Sequence, residues 1–214
     1  MKKIVVVGGG GHARVVLDAI AAGRAYRVVG VTDPRAASGS RVQGVPVLGS
    51  DGKLPGLFRR GVTHCIVAVG GAQDPSARPR LAARLAKMGF SFVNVVHPAA
   101  VVSPRAILGQ GIYVAAGAII NAGAEIGDHA IINTNACVDH DCRLGAFVHA
   151  APGAALSGGV VVGEGSHLGT GCAVSPSVRI GARTIVGVGS AVVSDIPAGA
   201  VAFGNPCRVV KRNK

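Results

Sequence analysis

Asp139, His140 and Asp141 set one imidazole between two carboxylates. A neutral imidazole near pH 7 accepts protons, and a neighbouring carboxylate orients it and raises its basicity. This trio suits general-base work, in which an amine or hydroxyl loses its proton as it attacks an acyl carbonyl. Asp139 and Asp141 are both candidates for the tuning carboxylate. The bland alternative is a polar corner residue with solvated acids on either side. The surrounding pattern has to decide between them.

A second candidate lies near the start. Ile4-Val5-Val6-Val7 is a continuous aliphatic run, as expected of a strand buried on both faces. Gly8-Gly9-Gly10-Gly11 follows, and then a helical pattern from His12 to Ile20. Gly8, Gly10 and Ala13 match G-x-G-x-x-G/A, and Asp33 ends the next aliphatic strand, Val28 to Val31. Glycines there let backbone N–H groups face phosphate at a helix N-terminus. A tight strand-to-helix turn is the plain alternative. Further strands are predicted at Cys65 to Val69, ending in Gly70-Gly71, and at Phe90 to Val96, with a helix over Arg78 to Met88. About 95 residues make half of a two-lobed dinucleotide fold, so one nucleotide-sugar suits the region better than NAD.

After His97-Pro98 the elements that must position His140 change character. Stepping by six from Val102 gives Leu108, Val114, Ile120, Ile126, Ile132, Val138, Leu144, Ala150, Leu156, Val162, Leu168, Val174, Ile180, Val186 and Val192. These sixteen stations hold fifteen large aliphatics and one Ala, without an insertion. A six-residue repeat that keeps phase this long means a parallel β-helix. The stations fill the coil and the small residues between them turn the chain. Each coil buries its face only against its neighbours, so many coils are required.

Bulk composition agrees. Aromatics are only 3% and Trp is absent, so the core is built from Val, Ile, Leu and Ala; Gly reaches 33 of 214 residues. The net charge of +12 favours anionic partners. Nucleic acid is disfavoured, because aromatic and basic residues do not interleave. Phosphorylated small molecules fit, and Arg208, Lys211, Arg212 and Lys214 form a candidate phosphate patch or a solvated basic end. The five cysteines (65, 137, 142, 172, 207) include no CxxC and suggest free thiols in a reducing compartment. The start is too short in apolar residues for a signal segment or a span, so a cytoplasmic protein is expected.

These features together resemble the hexapeptide-repeat acyltransferases. The resemblance narrows to the bacterial nucleotide-amino-sugar N-acetyltransferases and the related sialic acid O-acetyltransferase type. It rests on VGGGGHA, HPAAVVSP, NTNACVDHDC and FGNPCRVV, spread nearly end to end. It implies a Rossmann-like α/β domain over 1–96 and a left-handed parallel β-helix with a C-terminal tail over 97–214. Handedness comes from the resemblance alone, since the general crossover rule favours the opposite hand. It implies coils of eighteen residues, which put His140 in a column with Ala122 and Gly158, and His149 with His167, both pointing outward.

The resemblance assigns His140 as base and Asp141 as its tuning residue, with Asp139 a possible substitute. With the column argument it makes the Gly158 N–H the oxyanion donor. It matches Gly10, Gly11, His12, Asp33 and Gly70 to the nucleotide-sugar site; Pro34 stands where the family can show a second acid. It matches His149, Thr170 and Val188 to acetyl-CoA, the last two through backbone. The implied reaction is acetyl-CoA-dependent N-acetylation of a nucleotide-linked amino-sugar, UDP favoured, in a homotrimer. It needs no metal, nucleic acid or membrane. O-acetylation of a sugar such as sialic acid, a non-catalytic nucleotide-binding β-helix and, more distantly, an NAD-dependent oxidoreductase are the rivals.

Overall fold

Two aliphatic patterns, one a run and one a ladder, produce two different units. In the computed structural model, which describes residues 1–70 and 76–213, the chain divides into Met1–Pro98 and Ala99–Lys214. The division falls two residues after the one drawn from sequence. Gly71 and Lys214 lie outside the described residues.

In the first unit, strand β1 is Lys2–Val7, helix α1 Gly11–Gly23, β2 Tyr26–Thr32, β3 Arg41–Val42 and β4 Val45–Gly49. Helix α2 is Leu54–Arg59, β5 His64–Val67, α3 Ala77–Lys87 and β6 Ser91–Phe92. The sheet order is β3-β4-β2-β1-β5-β6, parallel except for the β3–β4 hairpin. Strand β1 is central, and Ile4 to Val7 are buried as its unbroken apolar run requires. From β1 the chain winds first towards β2 and later towards β5, so their carboxyl ends flank a topological switch point, where open α/β sheets bind ligands. The single strand expected over 90–96 is instead two short ones, Ser91–Phe92 and Val95–Val96. The β3–β4 hairpin and α2 were not legible, because Pro46, Pro55 and four glycines break the period of that stretch.

In the second unit each of the sixteen stations is the second residue of a two-residue strand, from Val101–Val102 to Ala191–Val192. The strands stack in three parallel ladders with a register of eighteen residues; Ile120 meets Val138, and Val138 meets Leu156. From Val114 onward the stations are buried, forming a single column of aliphatic side chains. Three residues after each station from Leu108 to Val186 the backbone turns through positive φ. Glycine usually stands there, but His129, Asn135, Asp141 and Phe147 occupy four successive corners. A side chain in that conformation costs roughly 1–2 kcal/mol. The segment read as a tail is a hairpin, Ala200–Gly204 with Cys207–Arg212, whose first strand continues a coil ladder from Ile185–Val186. It covers an edge that stacked coils would otherwise expose.

Candidate active site

The glycine turn of the first unit is built by close approach. Gly8 has φ +107°, and a Cβ there would fall 2.8 Å from Val69 Cγ2 and 2.9 Å from the Ala68 carbonyl oxygen. No side chain caps α1 at Gly10, and a Cβ on Gly10 or Gly11 would meet nothing within 4 Å. The first-turn N–H groups therefore border open space. That space is a cavity of about 530 Å³ lined by Gly8, Gly10, Gly11, His12, Asp33 and Gly70 among others. The five residues matched to the nucleotide-sugar are thus brought together. Pro34, Arg35, Asp51, Ala77 and Leu81 also line it. Sequence reasoning missed Asp51, which lies in the unrecognised stretch after β4 and accepts a 2.9 Å bond from the Thr32 hydroxyl.

Asp33, matched to the nucleotide-sugar site, is already engaged by backbone amides. Its Oδ2 accepts from Gly9 N at 2.7 Å and its Oδ1 from Arg35 N at 2.7 Å. It ties the glycine turn to the end of β2, and any ligand contact comes on top of those two bonds. His12 lies beside Gly70; a Cβ built on Gly70 would stand 3.7 Å from His12 Cβ, ordinary van der Waals contact. Burial, reinforced by the Arg78 guanidinium, lowers its pKa from 6.5 to about 4. At neutral pH it is an uncharged hydrogen-bonding ring.

In the coil unit His140 sits at a corner with its side chain 63% exposed. Its Nδ1 is 2.8 Å from Asp141 Oδ2. An ionised carboxylate only accepts, so Nδ1 carries the proton and Nε2 keeps its lone pair. A Cβ at Gly158 would fall 2.5 Å from both Cε1 and Nε2, so the ring lies over Gly158 as the column register predicted. The bond to Asp141 raises the His140 pKa above 6.5, with the Asp139 charge adding to it. Asp139 does not bond the ring. Its Oδ1 accepts from His140 N at 2.8 Å and from Asn121 Nδ2 at 2.9 Å. Those bonds hold the Asp139 carboxyl below its ordinary range. Asn121, one coil back, was not singled out from sequence; its only signal was its place eighteen residues before Asp139.

His149 pairs with His167 in register, their rings 4.8 Å apart and edge-on. It was expected to point outward from the coil face, and it is only 9% exposed. Its Nε2 lies 3.1 Å from Asn133 Nδ2, so an amide from another coil meets one edge of the ring. Thr170 and Val188 share a different corner column from His140; the Gly189 N–H bonds the Thr170 carbonyl at 2.9 Å. Val188 is 77% exposed, and a Cβ at Gly171 or Gly189 would meet nothing within 4 Å. This corner is an open shelf. One chain does not join it to His140, because the register puts them on separate corners of the coil.

A cavity on a strand-glycine-helix turn and an exposed histidine on a stacked six-residue coil define the hexapeptide-repeat acyltransferases with the left-handed β-helix. Residues 3–85 match the PglD N-terminal domain family. Along its whole length the chain resembles PerB from Caulobacter crescentus, solved with CoA and GDP-perosamine. The two are 47% identical with a TM-score of 0.91, covering 98% of this chain and 97% of that one. It resembles the acetyltransferase domain of PglB from Neisseria gonorrhoeae FA1090, solved with acetyl coenzyme A, at 40% identity and TM-score 0.90, covering 98% and 99%. It is 40% identical over 117 residues to the UDP-N-acetylbacillosamine N-acetyltransferase of Bacillus subtilis (strain 168). That match covers 52% of this chain, which spans about half (50%) of the relative's length. The chain belongs to the family of sugar N-acetyltransferases that includes PerB and the PglB acetyltransferase domain.

Proposed function

We propose that this protein transfers the acetyl group of acetyl-CoA to the amino group of a nucleotide-linked amino-sugar. The observation that carries the reading is the His140 geometry: Nδ1 held by Asp141 at 2.8 Å and Nε2 free over Gly158. His140 Nε2 takes the proton of the sugar amine as the nitrogen attacks the thioester carbonyl. The Gly158 N–H stabilises the oxygen as it gains charge. The new C–N bond replaces the C–S bond, CoA departs as thiolate, and the proton on His140 is available to neutralise it. Asp141 holds the imidazolium formed between these steps.

In this reading the first unit's cavity takes the nucleotide, with Gly10 and Gly11 N–H groups directed at phosphate and neutral His12, Asp33 and Gly70 completing the wall. The shelf of Thr170 and Val188, with His149 nearby in register, takes acetyl-CoA. Since His140 and that shelf occupy separate corners, a neighbouring subunit completes the site, and a homotrimer satisfies this by symmetry. The nucleotide to test first is GDP, because PerB, similar over its full length, was solved with GDP-perosamine. UDP is second. The perosamine N-acetyltransferase of Caulobacter crescentus and the Bacillus subtilis relative are N-acetyltransferases, which favours amine over hydroxyl as acceptor. Five free thiols and no described helix long and apolar enough to cross a membrane fit the cytoplasm.

The test is CoA release with GDP-, UDP- and CMP-linked amino-sugars. Wild type should turn over at least one of them, and His140→Ala should lose about 10²–10⁴-fold while still binding acetyl-CoA. Full activity in that variant would sink the base assignment.

A further inference from the structure

Two carboxylates flank His140, yet the ring bonds only one. We infer that Asn121 is a positioning residue for the base: it pins Asp139 to the backbone, leaving Asp141 as the sole partner of Nδ1. This rests on the reading of His140 as general base.

Asp139 Oδ1 receives two donors, Asn121 Nδ2 at 2.9 Å and His140 N at 2.8 Å. A short side chain capping the next N–H is an ordinary Asx motif, and Asn133 does the same for Thr134 at 2.8 Å. The second donor is what distinguishes Asp139. Backbone ladders place Asn121 opposite that carboxylate, through Asn121 N to the Val138 carbonyl at 2.9 Å and Asp141 N to the Ala122 carbonyl at 3.1 Å. Asp141 is set independently. It takes φ +59°, and its carboxyl occupies the space that a Cβ on Gly123 would need. One coil back, an amide and a glycine thus sort the two acids into a backbone clamp and a ring partner.

The consequence is chemical. Released, Asp139 competes for Nδ1–H across His140, draws the ring off Gly158 and brings its negative charge nearer the imidazole. Protonated His140 becomes more favoured, and less of the base form exists at neutral pH. The charged groups acting on the ring are Asp139 and Asp141. The facing residues of neighbouring coils (Asn121, Ala122 and Gly123 on one side, Ser157, Gly158 and Gly159 on the other) carry no charge.

The experiment measures kcat and KM against pH for Asn121→Ala and Asn121→Asp, with His140→Ala as control. Alanine already stands at the equivalent coil position in Ala115 and Ala151, so that variant should fold, and circular dichroism checks it. The inference expects kcat at pH 7 to fall about tenfold, with KM for acetyl-CoA unchanged and the acid limb moved to higher pH; a one-unit displacement corresponds to a tenfold loss of base form below the limb. Asn121→Asp, which adds a carboxylate, should move the limb further. A lower rate with an unmoved limb in both variants would make Asn121 merely structural and overturn the inference. An active His140→Ala would instead remove the base reading beneath it.

Discussion

Both units carry a histidine beside a glycine, and the two rings are opposite in character. In the α/β unit burial and the Arg78 charge push the His12 pKa down to about 4. In the coil unit an exposed ring between two acids has its pKa raised. The first is a neutral wall for a ligand; the second is a base that must be deprotonated to work. The difference lies in what each fold can put around a side chain. A helix packed on a sheet shelters a side chain in its first turn, whereas a coil corner displays it, and the groups that act on it are its own chain neighbours, Asp141 and Asp139, held in place by the adjoining coils.

The largest effect that would sharpen the contrast is on Asp141. Asp141→Asn removes the foremost cause of the raised His140 pKa, so the acid limb of kcat/KM should move down towards 6.5, and kcat should fall roughly 100-fold as tautomer control is lost. Because the pKa is raised in the wild type, its base form dominates only above that value, and its limb should lie above 6.5. An unchanged limb in the variant would break the comparison. Next in size is Gly158→Ala. The added methyl would stand 2.5 Å from Nε2, and the displaced ring should cost about 30-fold in kcat with KM nearly constant, since misplacement of reacting groups acts on rate. The smallest is His12→Ala. Losing one neutral hydrogen bond should raise KM for the nucleotide-sugar about tenfold. That increase should be the same from pH 5.5 to 8, because His12 does not titrate there. A pH-dependent increase would show that His12 is not neutral in the working enzyme.

The coil ladder was readable because each station serves one purpose in one register. A side chain that must fill the coil recurs every six residues, and nothing local competes with it. With the eighteen-residue coil that the family resemblance implies, the same register gave the His140–Gly158 and His149–His167 neighbours. The stretch from Arg41 to Arg59 was not readable, because short strands and a short helix with glycines and prolines leave no period to count. Asp51 was lost with it. The burial of His149 was not readable either, since alternation gives the direction of a side chain and not what covers it. The choice between Asp139 and Asp141 stayed open because both are one residue from His140, and sequence distance does not distinguish a backbone cap from a ring partner.

What the sequence determined alone is the aliphatic run of β1, the glycine turn and the six-residue ladder; the eighteen-residue coil came with the family resemblance. Only the tertiary structure decided the charges. It gave Asp33 to the Gly9 and Arg35 amides, Asp139 to Asn121 and His140 N, and Asp141 to the imidazole. Periodicity is set by each residue's own need for burial, which composition records. A hydrogen bond is decided by distances of a few tenths of an ångström, among chain neighbours such as Asp141 and His140 as much as between coils, and only the folded backbone fixes them.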